Sequence, residues 1–216
     1  MASINQSNNF IYFTLSLISI LLIGAISREI PGDGLGLLLK PLVLNSFVVC
    51  LWSMKFSRGW YVYLVVVSTL MVIAVTLHTV IDSDIANMLM LTLMLAFFYG
   101  VFQSTVKQIL LTDEVDNNTL TGSVALFLVM GLGWAALYLL LINFNPNAFN
   151  GIEHSETWGS DFSVVTYFSF VTLTTLGYGD VSPNSPLAEV AVYLEAITGV
   201  FYMAVVVSTL VSAKRG

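Results

Sequence analysis

The residues best placed to do chemistry are 172–180, which read Thr-Leu-Thr-Thr-Leu-Gly-Tyr-Gly-Asp. Closely spaced carbonyl oxygens can replace the water shell of a cation without holding the ion so tightly that it stays. Successive carbonyls point the same way only if the backbone alternates between ordinary and left-handed conformations, which glycine adopts at no steric cost. Gly177 and Gly179 stand at alternating positions. We therefore predict that Thr175–Gly179 binds ions, through the Thr175 hydroxyl and the carbonyls of Thr175, Leu176, Gly177 and Tyr178.

The rest of the chain has the composition of a membrane protein. It is 57% hydrophobic and 9% charged, with a mean hydropathy of +0.88, whereas soluble domains carry about 25% charged residues. A helix needs about 20 apolar residues to cross the hydrocarbon. We predict an all-α membrane protein with six transmembrane helices: Phe10 to Ile26, Leu37 to Met54, Trp60 to Ile81, Ile85 to Val106, Thr121 to Ile142 and Leu187 to Val211.

The segment from Asp161 to Thr174 is too short to cross and is predicted to enter the membrane from one side as a short helix. Ser160 or Asp161 is a candidate cap for its first turn. Non-helical backbone is tolerated at membrane depth only where protein or a water-filled cavity surrounds it. This re-entrant helix and the loop of residues 174–180 therefore belong at the centre of an assembly, away from lipid.

Thr174-Thr175-Leu176-Gly177-Tyr178-Gly179-Asp180 is similar to the selectivity-filter signature of the potassium channel family. The resemblance extends from about Asp161 to about Ser212. Its second half resembles the inner helix of bacterial channels with two transmembrane helices, at positions Leu194, Glu195, Ala196, Gly199, Tyr202 and Ala204. The resemblance implies passive conduction of K⁺, with no cofactor besides the permeant ion. Because known potassium filters use four loops and this chain has one, we expect a homotetramer around a fourfold axis.

Several residues around the run are candidates for holding it in shape. Thr174 and Asp180 flank it, and Tyr167 and Phe168 give bulk on the short helix. Some members of the family carry an acid where Val171 stands, paired to the aspartate after the filter. This chain lacks that acid, so Asp180 needs another partner or water.

Glu195 and Gly199 lie four residues apart and hence on one face of the last helix. An ionisable residue within a membrane is expensive and marks a functional site by default. We favour a supporting role for Glu195 over direct ion ligation, with a hydrogen bond to a hydroxyl of the short helix such as that of Thr172 or Thr174. Gly199 is a candidate gating hinge, although glycine in membrane helices equally often allows close packing.

The charges predict an orientation with both termini in the cytoplasm, because basic residues prefer that side. Lys55, Arg58, Lys107, Lys214 and Arg215 fall inside, against Arg28 and Lys40 outside. The predicted domains are four N-terminal helices (1–107), a cytoplasmic linker (108–120) and a pore domain (121–216). The expected location is a prokaryotic inner membrane.

Six spans with a pore between the last two is also the layout of voltage-gated channels. The fourth predicted span, Ile85 to Val106, contains no Arg or Lys. Since about 2.3 kcal/mol is available per charge and 100 mV, a helix without charge gains almost nothing from voltage. We expect weak or absent voltage dependence.

His78, beside Asp82, is either a proton sensor or an ordinary interfacial residue.

Three other functions agree less well with the sequence. A less selective cation channel is disfavoured because Tyr178 and Gly179 are both present. An active transporter would need several pore loops, and a regulatory protein with a vestigial filter is disfavoured by the intact motif.

The chain shows no nucleophile, base and orienting group in a catalytic pattern and no metal-ligand cluster, so we predict no enzyme. A net charge of −6 disfavours nucleic acid as a partner.

Overall fold

The computed structural model describes residues 9–29, 49, 58–81, 84–110, 116–152 and 158–208. Helices dominate it, and five of them are long and apolar enough to span a membrane. The helices are α1 (Asn9–Glu29), α2 (Arg58–Ile81), α3 (Asp84–Leu110), α4 (Asn117–Phe144), the shorter α5 (Trp158–Leu173) and α6 (Pro186–Phe201), which continues as a π-helix (Tyr202–Val207). Two short strands, β1 (Phe149–Asn150) and β2 (Ser182–Pro183), flank α5 in the chain.

This architecture confirms the prediction of an all-α membrane protein. Five predicted spans coincide with α1, α2, α3, α4 and α6, whereas the second, Leu37 to Met54, lies outside the described residues except for position 49. The predicted linker 108–120 overlaps helices at both ends, because α3 continues to Leu110 and α4 begins at Asn117. Asp82 and the side chain of His78 also lie outside the described part, so the proton-sensor hypothesis stays a prediction.

Helix α4 lies at the centre of the described fold. Helices α1, α3, α5 and α6 all pack against it, α1 also packs on α5, and α2 packs on α3. Because lipid is as apolar as leucine, helices in a membrane associate through close packing at small residues rather than through exclusion of water. Gly131 provides such a site, since a Cβ there would come within 2.5 Å of the Phe170 ring of α5.

Polar pairs set how the N-terminal helices lie along α4. The side chain of Asn118 donates to Asn9 at 2.6 Å, which joins the beginnings of α1 and α4. Asn87 donates to Asn143 at 2.8 Å, which joins the beginning of α3 to the end of α4. Helix α1 therefore runs parallel to α4 and α3 runs antiparallel to it, in agreement with the order of the predicted spans.

Asp116 caps α4 and carries a testable contribution to stability. Its carboxylate accepts from the Thr119 backbone N at 2.7 Å and from the Thr119 hydroxyl at 2.8 Å, and these bonds lower the pKa of Asp116. We expect Asp116→Ala to destabilise the fold by about 0.5–2 kcal/mol, measured as a lower thermal midpoint in detergent at neutral pH. A carboxyl with a lowered pKa stabilises the fold above its ordinary pKa and loses that effect as the pH falls through the lowered value.

Asp116→Asn is the matched control, because asparagine caps helices about as well as aspartate does. Its thermal midpoint should stay near the wild-type value. Equal losses in the alanine and asparagine variants would show that the charge of Asp116, rather than its cap, supports this end of α4.

Candidate ion-binding site

Helix α5 and the loop after it are joined by backbone hydrogen bonds. The helix begins at Trp158, so Ser160 and Asp161 lie within its first turn, and the prediction that one of them is the cap was wrong. Its end at Leu173 agrees with the expected one. The carbonyl of Val171 accepts from the amide of Leu176 at 2.9 Å and from that of Gly177 at 3.4 Å. The amide groups of the loop thus hold the end of α5.

The backbone of the loop alternates as a row of carbonyl ligands requires. The angle φ is positive at Thr175 (61°), Gly177 (59°) and Gly179 (81°), and at neither of the residues between them. Thr175 is the one non-glycine residue with positive φ among the described residues. A β-branched residue in this region is strained by about 1–3 kcal/mol, and such strain concentrates at functional sites.

The side chains of the loop are uncovered in the single chain. Leu176 is 60% exposed and Tyr178 is 67% exposed, although both adjoin well-packed helices. Thr174 instead bonds within its own chain, since its hydroxyl donates to the Phe170 carbonyl at 2.5 Å. A leucine and a tyrosine exposed to this degree beside a strained backbone indicate a contact surface.

The short helix supports the loop from one side. Tyr167 lies close enough to Asp180 to interact with its carboxylate, which makes Tyr167 the candidate partner for Asp180 in place of the acid that Val171 replaces. Phe168 is buried and packs against Tyr138 and Phe149, with ring centroids 5.3 and 5.6 Å away.

A short segment before α5 pairs with a short segment that follows the loop. Strands β1 and β2 are antiparallel, with Phe149 opposite Pro183 and Asn150 opposite Ser182. Gly151 follows β1 with a φ of +80°, and a Cβ there would lie 2.0 Å from the carbonyl oxygen of Asp180. The backbone at Gly151, after α4 and β1, therefore contacts the backbone of Asp180 at the end of the loop. This contact fixes the position of Asp180.

Glu195 is fully buried, where α4, α5 and α6 meet. Tyr138 of α4 donates a hydrogen bond to its Oε2 atom. The Ser169 Oγ of α5 lies 2.5 Å from its Oε1 atom and 2.8 Å from the carbonyl oxygen of Gly131. The prediction of a hydroxyl partner on the short helix is confirmed, but the residue is Ser169 rather than Thr172 or Thr174. At about 100° per residue, Thr174 is turned well away from Ser169 on α5, and its hydroxyl bonds to the Phe170 carbonyl instead.

Gly199 lies against the end of α5. A Cβ at this position would come within 2.1 Å of the Leu173 carbonyl oxygen. Glu195 thus contacts Ser169, and Gly199 contacts Leu173. The two residues on α6 are four positions apart, and so are the two on α5. The irregular part of α6 lies further along, in the π-helix Tyr202–Val207, where Tyr202 donates to the Ser123 carbonyl of α4. This geometry favours the close-packing alternative for Gly199.

Gly199→Ala should therefore destabilise the protein. The new methyl meets backbone rather than a side chain, so α5 and α6 must separate, at a cost of about 1–3 kcal/mol. The measurement is the thermal midpoint in detergent, which should fall. Gly133→Ala is the control, because its Cβ would meet only the Phe98 Cβ at 3.6 Å, an ordinary contact.

A gating hinge without a packing role would give the opposite result. Alanine raises helix propensity by about 1 kcal/mol over glycine. A Gly199→Ala variant with an unchanged or raised midpoint and an altered open probability would therefore restore the hinge interpretation.

Sequence reasoning missed several residues of this site. They are Tyr138, Ser169 and Gly131 around Glu195, and Phe149 and Gly151 near Asp180. A signal existed for Ser169, since it is a polar residue on α5 and a buried acid needs such partners. For Tyr138 there was none, because its spacing does not distinguish it from other aromatic residues of an apolar helix.

Part of the chain matches the model of a known protein family. Residues 124–214 match the family model Ion_trans_2, described as "Ion channel". The match covers α4, α5, the loop and α6. Searches among curated proteins and among solved structures gave no match.

Proposed function

We propose that this protein is a potassium-selective channel that conducts K⁺ passively across a membrane; the match of residues 124–214 to an ion channel family model supports the proposal. The ion ligands are the carbonyls of Thr175, Leu176, Gly177 and Tyr178, with the Thr175 hydroxyl at the inner end. Gly179 completes the run.

The observation that carries this proposal is the alternation of positive φ at Thr175, Gly177 and Gly179. Each change of hand turns the next peptide plane, so successive carbonyls line one side of the strand. Rings of such carbonyls replace the hydration shell of K⁺. The Leu176 and Gly177 amides already bond to Val171, which leaves the carbonyls to the ion.

The functional unit in this proposal is a homotetramer. Four loops are needed to surround an ion, and each chain supplies one. The exposed side chains of Leu176 and Tyr178 would then be covered by neighbouring subunits. A further apolar surface on α6 suits contact with neighbouring inner helices; its exposed members are Leu194, Ile197, Val200, Phe201 and Met203.

Support by neighbouring residues is part of the same proposal. Tyr167 and Phe168 pack and bond around the filter, and Thr174 and Asp180 bound it at its two ends.

Both termini are cytoplasmic, and the membrane is the inner membrane of a prokaryote. Helix α3 carries Lys107, whose Nζ atom lies 5.2 Å from the centre of the Trp60 ring. With no basic residue between 85 and 106, conduction should depend little on voltage.

The test is ion flux through the purified protein in liposomes. Potassium and sodium gradients are compared with and without barium, at several voltages. Flux that is selective for potassium, blocked by barium and nearly independent of voltage is expected. Equal potassium and sodium flux would support the less selective cation channel. No flux from protein shown to be tetrameric would favour a regulatory role with a vestigial filter.

A further inference from the structure

The buried contacts of Glu195 can be counted proton by proton. Three oxygen pairs are in hydrogen-bond range: Tyr138 with Oε2, Ser169 with Oε1, and Ser169 with the Gly131 carbonyl. A hydroxyl has one hydrogen, and a carbonyl has none. Tyr138 supplies the hydrogen for the first pair, so the other two pairs need two hydrogens between them.

An ionised Glu195 cannot supply the missing hydrogen. The Ser169 hydroxyl would then serve either Oε1 or the Gly131 carbonyl, and the other pair would hold two oxygens 2.5 or 2.8 Å apart with no hydrogen between them. Such a contact is repulsive. If Oε1 is protonated, it donates to Ser169, Ser169 donates to Gly131, and all three pairs are satisfied.

The surroundings of Glu195 agree with this count. Within the described part of the chain, no basic side chain forms an ion pair with it, and the one titratable group that contacts it is the Tyr138 hydroxyl. An ionised carboxylate in such a place costs several kcal/mol, and buried acids avoid this cost by staying neutral.

The network also leads directly to the filter. Ser169 lies two residues before Val171 on α5, and the Val171 carbonyl holds the Leu176 and Gly177 amides. The same network joins α5 to α4 at Gly131 and Tyr138 and to α6 at Glu195. Its loss would free α5 to rotate and shift, and the filter would move with it.

We propose that Glu195 is a neutral carboxylic acid that acts as the positioning residue for the filter, through a hydrogen-bonded chain from Tyr138 to Ser169 and Gly131. The role in conduction rests on the proposed function, whereas the protonation state does not. No ion contacts Glu195 in this proposal. A formal charge at this position has no part in conduction.

Glu195→Gln and Glu195→Leu test the proposal together. A glutamine amide donates to Ser169 and its carbonyl accepts from Tyr138, which reproduces the neutral acid. We expect Glu195→Gln to keep potassium flux and potassium over sodium selectivity near wild type. Leucine leaves Tyr138 and Ser169 unpaired, and flux or selectivity should fall by about tenfold or more. Wild-type behaviour of Glu195→Leu would overturn the positioning role, and a glutamine variant as defective as leucine would show that the charge is needed.

Infrared spectra of the wild-type protein test protonation without any flux. The difference spectrum between wild type and Glu195→Gln should contain a carboxylic-acid C=O stretching band. Glu189→Gln, a change at an exposed acid in the first turn of the same helix, should leave that band unchanged. Carboxylate bands in place of the acid band would overturn the proposal even if Glu195→Leu does not fold. If the wild-type protein shows the acid band but conducts no potassium, the proposed function is contradicted and the protonation of Glu195 is not.

Discussion

Gly177→Ala is expected to abolish potassium flux through the reconstituted protein. The φ of Gly177 is +59°, and no atom of the same chain lies within 4 Å of a Cβ built there. Within one chain the defect therefore arises from the backbone, because an L-residue in the left-handed region costs about 1–2 kcal/mol. Four copies in a tetramer would shift the balance against the conducting backbone by about 4–8 kcal/mol, or roughly a thousandfold or more.

One L-residue of the loop, Thr175, already has positive φ. This does not mean that alanine would be tolerated at position 177. Its φ is +61°, and its amide bonds to the Thr172 carbonyl at 2.9 Å. Thr175 adjoins the end of α5, whereas Gly177 lies two residues further into the loop, and the Val171 carbonyl holds its amide at the longer distance of 3.4 Å. An alanine there can relax to negative φ and turn its carbonyl out of line.

The control for Gly177→Ala is D-alanine at the same position, introduced by chemical ligation. The D-residue prefers positive φ and carries the same methyl group. Flux should return to near the wild-type level, measured as potassium efflux from liposomes. If L-alanine conducts as well as glycine, the carbonyls of this run are not the ion ligands.

Gly151→Ala is expected to have the second largest effect, although residue 151 lies outside the filter. Its φ of +80° disfavours alanine, and the new Cβ would meet the Asp180 carbonyl at 2.0 Å. The backbone conformation costs about 1–2 kcal/mol, and relief of the overlap costs about 1–3 kcal/mol more. Because Asp180 directly follows Gly179, the displacement reaches the outer end of the filter.

Two measurements are needed for Gly151→Ala. The thermal midpoint in detergent should fall, and the ratio of potassium to sodium flux should fall in liposomes. Gly59→Ala is the control, since no atom lies within 4 Å of its Cβ position and its φ is not positive. A Gly151→Ala protein with reduced stability but unchanged selectivity would show that the β1–β2 pairing supports the fold without shaping the filter.

The membrane architecture could be read from the sequence because its causes are local. Each apolar stretch long enough to cross a bilayer must satisfy its own backbone hydrogen bonds, and a helix does so without help from the rest of the chain. The described spans accordingly agree with the predicted ones to within a few residues at most ends. Ser185 and Pro186 likewise begin α6 through local contacts, with the Ser185 hydroxyl accepting from the Ala188 amide at 3.3 Å.

The filter backbone was also a local property. Glycines at 177 and 179 permit positive φ, and the structure has positive φ at both. The same strain at Thr175 was not expected, because no local preference of threonine calls for it. It arises where the end of α5 and the Val171 carbonyl fix the chain on both sides of the residue.

The support around the filter was decided by the tertiary structure. Glu195 bonds to Ser169, 26 residues away, and to Tyr138, 57 residues away, and the choice of Ser169 over Thr172 depends on how α5 is rotated about its axis. The contact of Gly151 with Asp180 and that of Gly199 with Leu173 likewise join backbones distant in sequence. The sequence by itself determined which segments are helices and where the backbone alternates, because these follow from local hydrophobicity and backbone freedom. Only the packing of helices decided which side chains hold that site, because a hydrogen bond needs both partners within about 3 Å.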